Sequence, residues 1–249
     1  MRFSKVFIKQ QVQEFVRAVF ADTLREEGFT SYKNEDFCWF RVVNHEVVHH
    51  VFFITPYRHC PIEAFVSCGF YPLYAEIDIP TSPYMYNCNI GAPPFVTQVH
   101  WPCEIPWPGN GNVMCSRDDT HGLNLLKEKV LAQFEGMDSA LDCYNRHKDM
   151  RLQSLMGASM FEYRPYNDFI AEMIYHDDSE LYEDFLKAIE KYRRRDLSNT
   201  KAPEYVRERL AQLDTWQRAI TEDRQPFLDE LEKKKADFIE RLQKGGIPV

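Results

Sequence analysis

A chain of 249 residues with 44% apolar and 14% aromatic content can bury a core without disulfide staples, which excludes a disordered polymer or a stapled mini-protein. Its formal charge of −8 and pI near 5.5 argue against a general binder of nucleic acid or anionic membrane, which needs a net basic face. The opening "MRFSKVFIKQQVQEF" and every later stretch lack an apolar run of signal-peptide or membrane length, and seven cysteines occur without CxxC spacing, so a reduced cytoplasmic chain with buried thiols is expected.

Ile8, Val12, Phe15, Val16, Val19, Phe20 and Leu24 recur at three- and four-residue steps and predict one helix, stopped by Gly28 with Phe29 closing the cap. From Phe29 to about Pro80 the pattern becomes that of strands. "FCWFRVV" and "VVHHVFFIT" are β-branched and aromatic runs separated by "NHE"; "IEAFVSCGF" follows; "LYAEIDIP" alternates apolar and polar residues. Four strands with no helix between them predict an antiparallel meander packed on the first helix.

Residues 80–118 are rich in proline and carry Tyr84, Tyr86, Phe95, Trp101 and Trp107. Only "FVTQVHW" has strand character there. Aromatic side chains on a proline-stiffened segment lose little entropy on binding, so Trp101, Trp107, Tyr84 and Tyr86 are the expected binding residues. The competing reading is a lid that buries its own aromatics.

From Thr120 onward the pattern is helical. Leu123, Leu126, Val130, Phe134, Met137 and Leu141 form a stripe expected to run on through Leu152 and Leu155. "YNDFIAEMIYH" predicts a short helix, and another starts near Ser179 with Leu181, Phe185, Ile189 and Tyr192 inward. Thr200 caps a third bearing Val206, Leu210, Leu213 and Ile220. Pro226 opens the last, with Phe227, Leu231, Phe238 and Leu242, ending at Gly245 and Gly246. The expected fold is therefore α+β: an N-terminal helix on an antiparallel sheet of about four to five strands, then an all-helical C-terminal half. The expected division is 1–118 and 119–249.

The first helix with its terminating "EEGF", the strand "FCWFR" and the strand "FVSCGFYPL" resemble an uncharacterised bacterial domain family of unknown function, through Gly28, Phe29, Phe37, Phe40 and Arg41. The resemblance covers roughly the first third of the chain. It implies a helix, a Gly-Phe turn and an antiparallel sheet, and it brings no assigned reaction.

One string carries a sharper hypothesis. "HEVVH" at 45–49 is a literal HExxH. On a helix, His45 and His49 would share a face and bind zinc, and Glu46 would deprotonate a metal-bound water as a peptidase base. Three observations oppose it. Such a string arises by chance in roughly one chain in a hundred of this composition. The valines and aromatics of 37–55 favour strands. Thr55 stands where a third histidine would be wanted, and Glu63 and Glu76 lie in strand patterns, leaving Glu128 or Glu172 as distant carboxylates. Hairpin histidines are the expectation.

Weaker constellations have plain structural explanations. Cys88, Cys103, Cys115, His100 and His121 lack the tight pairing of zinc knuckles. The run Arg193 to Asp196 suits a helix end, where cations complement the dipole, and acidic and basic residues balance from Ser179 onward. Asp118 to Gly122 reads as a helix cap. No GxGxxG, P-loop or Gly-x-Ser-x-Gly is present, so no nucleotide cofactor or serine nucleophile is signalled. The functional expectation is a cytoplasmic, non-catalytic binding module without cofactor, taking a protein or small-molecule partner; the alternative is the zinc metallopeptidase.

Overall fold

The computed structural model describes residues 4–54, 64–75, 77, 79–80, 83, 99–101, 120–151, 164–196 and 203–249. It is α+β: helical at the start, then an antiparallel sheet, then mostly helices. Among the described residues no helix is long and apolar enough to cross a membrane. The chain forms two compact units, Met1–Ala140 with Asp237–Val249, and Leu141–Ala236.

In the first unit, α1 (Lys5–Val19) starts where Ser4 Oγ accepts the amide of Phe7 at 3.1 Å, meeting one of the donors a helix start leaves unpaired. It buries Ile8, Val12, Phe15 and Val16. The single long helix expected from the stripe is two: the backbone bends at Phe20 and resumes as α2 (Ala21–Glu26). Gly28, at φ +80°, ends it. The amide of Phe29 donates to Leu24 O at 2.8 Å and that of Gly28 to Arg25 O at 3.0 Å, the paired bonds of a Schellman cap that only a residue comfortable at positive φ permits.

The sheet follows: β1 (Thr30–Ser31), β2 (Cys38–Val43), β3 (Val47–Ile54), β4 (Ala64–Pro72) and β5 (Val99–Trp101), in spatial order 1-2-3-4-5 and antiparallel throughout. The β2–β3 turn is the expected "NHE". Asn44 and His45 have φ of 52° and 56°, and Glu46 N–H returns to Val43 O at 3.0 Å. Positive φ at both central residues matches the twist of the flanking strands.

Side-chain alternation then divides the sheet into two faces. Trp39, Arg41, His49, Val51, Phe53 and Cys68 share one, and Phe20 of the helical layer meets Phe53 there with ring centroids 4.9 Å apart. Phe40, His50, Phe52, Ser67, Gly69 and Tyr71 share the other. Every residue of β3 is buried, so its unbroken apolar run belongs to a central strand covered on both sides.

"LYAEIDIP" departs from expectation. Leu73, Tyr74 and Ala75 form a turn and all three are buried, while Ile77, Ile79 and Pro80 carry no regular structure. Leu73 N–H bonds to Glu46 O at 2.8 Å and Ala75 N–H to Pro72 O at 2.9 Å. The β2–β3 turn and a local turn bond took the amides of Leu73 and Ala75 that a further strand would have used.

The long helical stripe departs too. α3 (Thr120–Ala132) buries Leu123, Leu126 and Val130, and Gly136 at φ +68° breaks the chain before α4 (Ala140–Arg151). Phe134 and Met137 are buried on this link rather than on a helix, and Leu141 is 50% exposed.

In the second unit, α5 (Arg164–Tyr175), a 3-10 turn at Ser179–Leu181, α6 (Tyr182–Asp196), α7 (Pro203–Thr221) and the first part of α8 (Gln225–Lys244) make a helical layer. Phe185, Ile189, Leu213, Trp216, Phe227 and Leu231 are buried as the periodicity requires. α8 ends at Gly246, φ +83°, with Ile247 N–H on Leu242 O at 3.0 Å. From Asp237 onward it belongs to the first unit, where Lys33 N–H donates to Gly245 O at 2.7 Å.

Candidate functional site

The HEVVH segment does not form a helix. His45 and Glu46 occupy the exposed turn, and Val47 to His49 begin β3. The shared helical face on which two imidazoles would ligate zinc is therefore not built. What is built is a brace between the hairpin and the link after α3.

His49 is fully buried. Its Nε2–H donates to Met137 O at 2.7 Å, and its Nδ1 accepts from Arg41 Nη2 at 3.0 Å. This pairing fixes one neutral tautomer. The imidazole lies against Phe134, centroids 4.7 Å apart and planes 18° apart. Burial pushes its pKa down to about 4; Arg41 adds to that, while the Met137 bond and Asp138 oppose it. A metal at either nitrogen would have to displace Met137 O or Arg41.

Arg41 is the hub. Its guanidinium carbon sits 4.9 Å from the Phe29 ring centroid and 5.9 Å from that of Phe134, and Nη1 donates to Glu27 O at 2.8 Å. A planar cation stacked on aromatics and forked to two acceptors is a role that lysine does not fill. Burial lowers its pKa against the opposing pull of Glu27 and Asp138.

Two further bonds complete the brace. Asn44 Nδ2 donates to Asp138 O at 3.0 Å, and Ala140 N–H donates to Glu46 Oε2 at 3.0 Å. The Glu46 carboxylate thus holds the first amide of α4, where the partial positive charge of a helix start favours an anion. Of the polar side chains in this segment, Asn44, Glu46 and His49 each hold a backbone group of residues 137–140.

On the opposite face, His50 is buried between Phe52 and Tyr71, with ring centroids 4.3 and 5.6 Å away. Burial, with His49 beside it, pushes its pKa down to about 3.

A second polar cluster lies in the helical unit, at the end of α5. Asp177 takes the left-handed conformation, φ +57°, in a Schellman cap closed by Asp178 N–H on Met173 O at 3.1 Å. Tyr182 Oη donates to Asp177 at 2.9 Å, and Arg224 pairs with the same carboxylate at 3.1 Å. Tyr144 Oη donates to Asp178 at 2.6 Å, and Lys148 pairs with it as well. Burial acts to raise the Asp178 carboxyl, but the bonds from Lys148 and Tyr144 outweigh it and hold the pKa below the usual carboxylate range. Burial and Asp178 raise Tyr144 far above an ordinary phenol, and burial with Asp177 raises Tyr182 to about 12. Both phenols are fixed as donors, which suits a brace better than proton transfer near neutrality.

The remaining candidates fall as follows. Trp101 and His100 lie on β5, paired opposite Ala64 and Phe65. Tyr84, Tyr86, Trp107, Cys88, Cys103 and Cys115 lie outside the described residues. His121 and Glu128 are exposed on α3, and Glu172 is buried on α5. Arg193 is bonded to Asp214 and Gln217, and Arg194 to Glu190. The side chains of Cys38, Cys68 and Cys143 are buried. Among the described residues, no group of three or more His, Cys, Asp or Glu side chains gathers as metal ligands would. The sequence placed His49 on a hairpin, with zinc only as the alternative, and did not show Arg41 as its partner; their pairing opposite each other across the hairpin, Arg41 with His49, is the signal that would have found it.

In comparison with known proteins, no family model, no curated protein and no solved structure matches the chain.

Proposed function

We propose that this is a non-catalytic binding protein of the cytoplasm, from a bacterial family without assigned chemistry, which takes a protein or small-molecule partner on residues 80–118. The observation that carries the reading is the brace. Glu46 and His49, the residues a peptidase would need free, are bonded to Ala140 and to Met137 and Arg41. Trp101 adds support, because β5 has no second neighbour among the described strands. A strand edge beside aromatic, proline-stiffened chain can pair with an extended peptide and grip alternate side chains.

The test has two parts. Zinc per chain is measured in protein purified without a metal-affinity tag, beside His49→Ala. Peptides selected from a displayed library of extended sequences are then titrated against the parent, Trp101→Ala and Trp107→Ala. The reading expects no stoichiometric zinc, and peptide affinity at least tenfold weaker in the tryptophan variants at unchanged melting temperature. One zinc per parent chain that disappears in His49→Ala, with Glu46-dependent peptide hydrolysis, would replace it with the metallopeptidase.

A further inference from the structure

The face of the sheet opposite the brace holds two orphaned polar side chains. Neither ring nitrogen of His50 and not the hydroxyl of Ser67 has a hydrogen-bond partner among the described residues. Both residues are essentially fully buried, at 1% exposure each. Buried groups of this kind are nearly always paired, so two of them together call for an explanation.

They are neighbours by register. His50 stands opposite Gly69 and Phe52 opposite Ser67, so Ser67 is the diagonal neighbour of His50 on the same face. Gly69, opposite His50, brings no side chain to this face. Around them lie Phe40, Phe52, Val48 and Tyr71, all buried, with Tyr71 stacked on the ring at 16°. No ionised side chain of β2, β3 or β4 points to this face, since Arg41 and His49 alternate to the other.

We propose that His50 and Ser67 form a buried binding site for one small, uncharged, hydrogen-bonding molecule of about the size of water. The donor count fits. A neutral imidazole offers one N–H and one bare nitrogen, and a serine hydroxyl offers one O–H and acceptor lone pairs. A single molecule able both to donate and to accept can bridge the two, as buried waters do between otherwise unpaired groups. A charged occupant would be desolvated here with no counter-charge among the described strand side chains of this face. A metal ion would find only the His50 imidazole and the buried Cys38 thiol among the described side chains of this face, and no group of three ligands gathers there.

The stability of Ser67→Ala reads the site directly, because the sign of its effect depends on occupancy. Removing a buried hydroxyl that has no partner stabilises a protein, whereas removing one that is bonded destabilises it. Melting temperatures are measured for the parent, Ser67→Ala, His50→Leu and the double variant. An occupied site gives a lower melting temperature in Ser67→Ala and a clearly smaller loss when His50 is already leucine. Water-selective NMR gives the second readout: a long-lived exchange contact between bulk-water frequency and a His50 ring proton, absent in Ser67→Ala, identifies the occupant as water. A ring contact to a co-purified small molecule identifies that molecule instead. A rise in melting temperature for Ser67→Ala in both backgrounds, with no such contact in the parent, overturns the proposal.

Discussion

The Glu46 carboxylate accepts the backbone amide of Ala140 at 3.0 Å, joining two points 94 residues apart in sequence. A peptidase base would instead hold a water beside zinc, and the two roles respond differently to one substitution. Glu46→Gln keeps a carbonyl acceptor for the amide and is expected to cost under about 0.5 kcal/mol, while Glu46→Ala leaves the amide unpaired and costs about 1 kcal/mol. Urea denaturation with an unchanged m-value measures both. Equal losses in the two variants would mean that the bond does not form in solution.

His45 and His49, equivalent in a zinc motif, are opposite in this fold. His45 is exposed at φ +56°, where glycine is the favoured residue. His45→Gly creates Asn-Gly in a turn that prefers it, and a gain of about 0.5–1 kcal/mol is expected. His49→Leu strands Met137 O and an Arg41 N–H in a buried site and is expected to lose about 3 kcal/mol. Thermal and chemical denaturation of the two variants side by side test the contrast, and a loss in His45→Gly comparable to that in His49→Leu would refute it.

Acid stability follows from the two buried histidines. Folded His49 and His50 charge only near pH 4 and pH 3, against an ordinary value of 6.5. Between those limits the unfolded chain binds more protons than the folded one, so stability falls as the pH drops. It is full above about pH 6.5 and is lost progressively down to about 4 for His49 and about 3 for His50. The slope is up to about 1.4 kcal/mol per pH unit for each. Denaturation midpoints at pH 7.5, 5.5 and 4.5 should decline in the parent, and decline less steeply in His50→Leu. Parallel curves would show that His50 is charged or solvated in the folded protein.

How far the sequence carried this architecture depends on the range of each signal. Local signals were legible: the stripe of Ile8, Val12, Phe15 and Val16, the Gly28–Phe29 cap, and the turn between two valine-rich runs all fell where expected. "LYAEIDIP" misled because alternation alone cannot reveal that Leu73 N–H bonds to the Glu46 carbonyl from another hairpin. The stripe through Phe134, Met137 and Leu141 misled because its period continued past the helix end at Ala132 and across the following turn, where Gly136 takes positive φ. The brace was illegible for a simpler reason: His49 and Met137 are 88 residues apart, and nothing local marks a main-chain carbonyl as a partner. The aromatic set Tyr84, Tyr86 and Trp107 lies outside the described residues, so the binding expectation rests on sequence there.

In the helical unit, the phenol of Tyr144 and the ammonium of Lys148 share Asp178. Tyr144→Phe removes one donor and leaves the other to satisfy the carboxylate, for a loss of about 1 kcal/mol. Asp178→Ala strands both and is expected to cost more than Tyr144→Phe and Lys148→Met each do singly. In the Asp178→Ala background the tyrosine substitution should become nearly neutral. A double-mutant cycle by urea denaturation reads the coupling, and strict additivity would mean that the three groups do not interact.

Gly245 bears on how the chain end is held. Its carbonyl accepts Lys33 N–H at 2.7 Å, and a methyl group on its Cα would overlap the Tyr32 ring. Its φ is ordinary, unlike that of Gly246, so the requirement for glycine is steric contact and not backbone conformation. Gly245→Ala is expected to lose about 1–3 kcal/mol, the usual cost of forcing an extra carbon into packed surroundings. Tyr32 packs edge-on to Phe40, with centroids 5.9 Å apart, so Tyr32→Ala carries a loss of its own. Adding Gly245→Ala to it should then cost nothing further, because the obstructing ring is gone. If the glycine substitution remains equally harmful in that background, the strain lies in the backbone and the close approach of Tyr32 is not its cause.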